Sequence, residues 1–190
     1  MSKTESSMME LGTEAPAFAL MDVVSGRTVA HDDAANGRGL LVMFICVHCP
    51  YVKHVEQELA RIGADYEGKM GIVAISANDV GNFPEDSPEN MKEQAERLGF
   101  KFPYLYDETQ EVARAYNAAC TPDFFLYDAG LKLVYRGQLD DSRPQRTSGG
   151  GNNIPVTGKD LRAALDALVA GKRPNTNQRS SIGCNIKWRE

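Results

Sequence analysis

A chain of 190 residues is the length of one domain with short appendages. Its 42% hydrophobic content supplies a core without disulfide or metal staples, and four cysteines are too few for a disulfide scaffold. With 21 Lys+Arg against 26 Asp+Glu, the net charge of −5 argues against a dedicated nucleic-acid surface. No apolar run approaches the roughly 18 residues of a membrane span. The opening MSKTESSMMELGTEAP lacks the apolar stretch of a secretory signal. These features predict a cytoplasmic protein, where paired cysteines serve catalysis, redox sensing or metal binding.

Along the chain, residues 1–15 are polar and expected to be loose. Segments 17–21 and 27–30 flank a Val24-Ser25-Gly26 turn and read as a hairpin. The continuous apolar run 40–45 (LLVMFI) is a strand buried on both faces. Val52, Val55, Leu59, Ile62 and Tyr66 then recur at helical spacing, and 71–76 is a second buried strand. Ser87-Pro88 caps a helix that stops at Gly99. A short strand (103–106) and a short helix (109–116) lead to a hairpin of strands 124–127 and 133–135 around Asp128-Ala129-Gly130. Thr157 is expected to cap a final helix carrying Leu161, Leu165, Leu168 and Val169, which ends at Gly171. This order predicts an α/β fold, with a central mixed sheet covered on both faces. The expected divisions are a flexible 1–11, a domain over 12–171 and a polar tail over 172–190. The stretch 138–156, with its Gly-rich 149–151, is a long loop. His54 and residues 56–61 are expected on the solvated face of the first long helix, with Glu58 and Arg61 as an i,i+3 pair. Residues 140–144 (DDSRP), Asp79 and Glu85-Asp86 read as loop solubility.

Cys46-Val47-His48-Cys49-Pro50 stands where the 40–45 strand hands over to a helix. Pro50 suits the first helical position, which makes Cys49 the N-cap. There the free N–H groups and the helix dipole favour a thiolate, with His48 and Lys53 close enough to add to the effect. Cys46, three residues back, is within reach for a short-loop disulfide. The same spacing is half of a zinc site, but Cys120 and Cys184 are singletons, and His31, His48 and His54 lack ligand spacing. Redox chemistry is therefore the preferred reading, and a zinc or thiol sensor without turnover is its alternative. Thr121-Pro122 before an apolar strand is either an ordinary trans proline or a cis bond presenting backbone to a substrate disulfide.

These residues resemble the thioredoxin-like superfamily and, within it, the redoxin group of peroxiredoxin-like, AhpC/TSA-related proteins. The resemblance covers about residues 12–170. It rests on Cys46-Val47-His48-Cys49, on Thr121-Pro122 before the penultimate hairpin, and on GTEAPAF at 12–18. The stretches VMFICVHCPYVKHV, CTPDFFLYD, YRGQLDDSRP and SIGCNIKW look like a bacterial subfamily of that group. It implies a thioredoxin-like fold with an N-terminal hairpin and a cis Thr121–Pro122 bond. In the registers of both parent groups Cys49 takes the attacking position. Cys46 stands where peroxiredoxins carry Thr, Val42 stands where they carry Pro, and Arg136 or Arg143 is the positional candidate for a peroxide-binding arginine. The expected site is Cys49 as nucleophile and Cys46 as resolving thiol, with the reverse assignment of ordinary thioredoxin-type motifs as the alternative, and with Thr121 and Pro122 beside them. Cys120 and Cys184 are candidate additional resolving thiols. The alternative is a small buried hydrophobe for Cys120 and a structural residue for Cys184, on a tail folded back through Ile182, Ile186 and Trp188. The expected function is a thiol–disulfide oxidoreductase acting on a disulfide. Its alternative is an antioxidant thiol peroxidase acting on peroxides. Neither needs a bound cofactor, and a thioredoxin- or glutathione-type donor would supply electrons; no membrane or nucleic-acid partner is expected.

Overall fold

The two continuous apolar runs form the middle of the main sheet in the computed structural model, which describes residues 3–145 and 151–189. In chain order the elements begin with β1 (Lys3–Glu5), β2 (Ala19–Asp22), β3 (Thr28–Ala30), α1 (His31–Ala34) and β4 (Gly39–Phe44). Next come α2 (Pro50–Asp65), β5 (Gly71–Ser76), a 3-10 turn (Pro84–Asp86), α3 (Pro88–Leu98) and β6 (Tyr104–Tyr106). The series closes with α4 (Glu111–Ala115), β7 (Cys120–Thr121), β8 (Asp123–Asp128), β9 (Leu133–Gly137), α5 (Lys159–Val169) and β10 (Ile182–Asn185). Seven strands in the order β3-β2-β6-β5-β4-β8-β9 make the main sheet. The β4–β5 and β5–β6 pairs are parallel, and β8 joins β4 antiparallel. This is the mixed α/β sheet expected.

Alternation along β4 explains why its whole length is apolar. Leu41 and Met43 enter one core, packed against Val52, Val55, Leu59 and Ile62 of α2 and Leu161 and Leu165 of α5. Leu40, Val42 and Phe44 enter the opposite core with Phe18, Tyr116 and Phe125. A strand covered on both faces has no polar side to display.

Several expectations change. Residues 3–5 are not loose: β1 pairs with β10, so the expected tail is built into the fold. β10 in turn pairs with β7, giving a second sheet of order β1-β10-β7. The cap of α5 is Gly158 rather than Thr157, and the Thr157 and Gly158 N–H groups both donate to Asp140 Oδ2 at 2.7 Å. The 140–144 stretch is therefore more than loop solubility: Asp140 and Ser142 are buried, and Asp140 organises the turn into α5. Glu58 is not solvated, because α5 crosses this side of α2. The Glu58 carboxylate lies between Arg61 Nη1 (3.1 Å) and Arg162 Nε (2.6 Å). Of the long 138–156 loop, residues 146–150, with Gly149 and Gly150 of the Gly-rich stretch, lie outside the described residues. Among the described residues, no helix is long and apolar enough to cross a membrane.

Candidate active site

Strand β4 ends beside β5, where the Ile45 N–H donates to Ile75 O, and the chain then turns through residues 46–48 into α2. Cys49 is the N-cap, in extended conformation, and Pro50 occupies the first turn, as its missing N–H allows. The Thr121–Pro122 bond is cis. It brings the Thr121 carbonyl to 3.2 Å from Cys49 Sγ, and Thr121 Oγ1 to 3.4 Å from Cys46 Sγ. Cys46 and Cys49 are close enough to influence one another's ionisation.

The small sheet completes this cluster. Cys184 of β10 lies opposite Thr121 of β7, and its thiol hydrogen-bonds Cys49. Gly183 makes that approach possible, since a Cβ there would overlap the Thr121 carbonyl. Cys46, Cys49 and Cys184 are buried, at 1%, 0% and 2% exposure.

Burial raises the pKa of any thiol. For Cys49 this is outweighed by hydrogen bonds from Cys184, Cys46 and Thr121 and by the Val52 N–H in the first turn of α2, which together hold it well below the ordinary thiol value. The Cys49 thiol donates to the Thr121 carbonyl when protonated; once ionised, the surrounding S–H, O–H and N–H groups become its donors. Cys46 moves the other way. Its hydrogen bond with Cys49, its burial, and the negative charges of Asp86 and Cys49 push it up, with Thr121 a partial offset.

His48 and Lys53 do not serve the thiolate as expected. Lys53 is exposed, and His48 turns to Asp86, with Nδ1 2.5 Å from Oδ2, its ring stacked on Phe83 at 5.7 Å. Asp86 is no solubility residue: it is fully buried and accepts from the Val47 and His48 N–H groups (2.8 and 3.0 Å) and from Asn78 Nδ2 (2.7 Å). Sequence reasoning missed Asp86 and Asn78. A single acid in FPEDSPEN, 38 residues beyond His48, carries no local signal of its destination.

Cys120 is buried and donates to Pro122 O at 3.6 Å. Burial, then the charges of Asp123, Cys49 and Glu5, push its thiol far up, which suits a small buried hydrophobe more than a resolving thiol. Of the two arginine candidates, Arg136 donates to Met9 O (2.6 Å) and Gln178 (2.7 Å) at the sheet edge. Arg143 donates to Asp140 O and Ser142 O (both 2.7 Å) and to Gln138. Arg143 nevertheless lines a groove beside Pro122, with Tyr51, His54, Ser142 and Pro144. His54 is thus half-buried, its Nε2 2.7 Å from Ser142 Oγ, and burial, with Arg143 adding and Asp140 opposing, lowers its pKa.

The model of the AhpC/TSA family matches residues 11–136. Thiol-disulfide oxidoreductase ResA of Geobacillus kaustophilus (strain HTA426) is 32% identical over 140 residues, covering 72% of this chain and 75% of the relative. Among solved structures, the crystal structure of an uncharacterized conserved protein from Geobacillus kaustophilus is 56% identical with a TM-score of 0.94, covering 100% of this chain and 97% of that one. The thioredoxin domain of a thiol-disulfide oxidoreductase from Bacteroides vulgatus shares the fold at 22% identity and a TM-score of 0.56, over 67% of this chain and 88% of that one. The fold is thioredoxin-like.

Proposed function

The chain belongs to the AhpC/TSA family, and on that premise we propose that it is a thiol–disulfide oxidoreductase whose reacting pair is Cys49 and Cys46. The observation that carries the assignment is the placement of two neighbouring thiols, Cys49 as the N-cap of α2 and 3.2 Å from the Thr121 carbonyl, and Cys46 beside the buried Asp86 carboxylate. Cys49 at the head of α2 is held low, and Cys46 is held up. A thiolate available at neutral pH is the nucleophile, and a thiol that keeps its proton waits for the second step.

The Cys49 thiolate attacks one sulfur of a substrate disulfide, that S–S bond breaks, and the leaving sulfur carries off the electron pair. Cys46 then gives up its proton and attacks Cys49 Sγ in the mixed disulfide. The second substrate thiol departs, and a Cys46–Cys49 bridge remains. An external reductant, one thioredoxin-type dithiol or two glutathione-type monothiols, in a cytoplasmic setting, supplies the two electrons that reopen it. Thr121 and Pro122 position the pair through the contacts to Thr121 O and Oγ1. A disulfide is preferred over a peroxide as substrate because Arg136 and Arg143 make their hydrogen bonds elsewhere and Cys46 occupies the peroxiredoxin threonine position.

The test follows the reduced protein with a model disulfide under stopped flow and intact mass spectrometry. Cys46→Ser should accumulate a mixed disulfide on Cys49, and Cys49→Ser should lose the rapid phase. A Cys49→Ser protein reacting as fast as wild type sinks the assignment. Rapid peroxide consumption, with disulfide reduction at the rate of a free thiol, would transfer it to the peroxidase.

A further inference from the structure

Asp86 is a fully buried carboxylate that, among the described residues, has no lysine or arginine partner; His48 alone stands beside it as a possible cation. Burying a carboxylate is costly unless it is paired and hydrogen-bonded. Here its neighbours are acidic as well. Cys46 Sγ, a His48 ring nitrogen and an Asp86 carboxylate oxygen lie within 4.8 Å of one another, and Cys49, which neighbours Cys46, stands just outside that group. The Tyr104 hydroxyl is buried without a hydrogen-bond partner among the described residues.

The geometry points to a second use of this cluster: in the reduced protein, Cys46, Cys49, His48 and Asp86 form a binding site for one zinc-class divalent cation. Two sulfurs, one imidazole and one carboxylate are a borderline-soft set that suits zinc and does not suit magnesium or calcium. Around a tetrahedral ion with bonds of about 2.0–2.3 Å, such donors stand roughly 3.3–3.8 Å apart. Cys46, His48 and Asp86 need a contraction of about 1–1.5 Å at most and a parting of the His48 ring from Asp86, and Cys49, outside that group of three, must turn toward it to supply the fourth donor. The support around the donors is already in place. Val47 N–H, His48 N–H and Asn78 hold the carboxylate, and Phe83 stacks on the imidazole. The His48 side chain, 14% exposed, marks the approach from solvent.

The site is conditional on redox state. The ion needs both thiolates, so the Cys46 proton leaves as it binds. When a disulfide oxidises the pair, two electrons pass to that disulfide, the Cys46–Cys49 bond forms and the ion is released. The cation and the substrate then compete for the same sulfur.

Cobalt(II), titrated into the reduced, metal-free full chain, reports this directly. The expected result is one ion per chain, with the absorption of a tetrahedral thiolate–cobalt centre that zinc(II) displaces and prior oxidation abolishes. Cys46→Ser should remove that band, and His48→Gln should weaken binding at least tenfold. His48→Gln is the second variant because Asp86→Asn would also disturb the 46–48 turn. Absence of a thiolate–cobalt band in reduced wild type overturns the inference. So does a band and affinity unchanged in both variants. Binding is read without turnover, so its failure leaves the oxidoreductase assignment standing, and failure of that assignment leaves the binding result standing.

Discussion

Replacing Cys184 by alanine isolates what the β10 strand does for the reacting thiol. Its side chain supplies one of the hydrogen bonds that hold Cys49 low, whereas β10 is joined to β7 through its backbone, which alanine leaves intact. A hydrogen bond to a charged group contributes about 1.5–3 kcal/mol, so its loss should raise the Cys49 pKa by weakening ionisation roughly ten- to a hundredfold. Thiolate absorbance at 240 nm during acid titration of the reduced protein measures this without requiring access to the sulfur. Cys46 and Cys120 are both held up, so the low-pH step belongs to Cys49. Stability gives a second reading. A thiol whose pKa is depressed on folding adds stability that is complete above its unfolded value near 9.0 and is lost as pH falls toward the folded value. The variant should therefore show a smaller rise in stability between acid and alkaline pH. A folded Cys184→Ala protein whose thiolate persists to the same pH as wild type would refute the reasoning.

Asp123, next to Pro122, has a carboxyl pushed up to about 7 by complete burial, against the Ala119 and Phe124 N–H groups that partly offset it. Its contribution to stability is complete below the ordinary value of 3.8 and is lost as pH rises through about 7. Relative to wild type, Asp123→Asn should gain stability in urea unfolding progressively from about pH 4 to pH 7 and level off above that; parallel pH curves would contradict this. Gly183→Ala places a methyl group against the Thr121 carbonyl. It should cost about 1–3 kcal/mol and speed amide exchange over residues 182–185, and an unchanged exchange pattern would show that the close approach is not required.

The elements that could be foreseen are those whose residues report their own surroundings. The run LLVMFI has no polar face, so it belongs at the centre of a covered sheet, and β4 is there. Pro50 and Ser87-Pro88 mark helix starts by local stereochemistry, and both helices begin where these signals stand. The strands that were missed, β1, β7 and β10, are three, two and four residues long, too short for a clear period. Asp86 and Glu58 were misjudged for a related reason. An acidic side chain gives no sign of whether a distant segment will cover it, and their partners lie 38 and 104 residues away. The pair Cys46–Cys49 was legible because cap, proline and spacing are local. The tuning of its two thiols was not, because Cys184 and Asp86 supply much of it.

The small sheet also makes thiol acidity a measure of completed folding. Residues 49, 121 and 184 meet only after β10, the last of the described elements in chain order, has entered between β1 and β7. A nascent or partly unfolded chain can carry a formed β4–α2 unit and still hold Cys49 as a less acidic, poorly reactive thiol. On the proposed assignment, the chain therefore passes its unfinished stages with its nucleophile subdued. The appearance of the acidic thiolate marks the moment when both edges of the small sheet have closed.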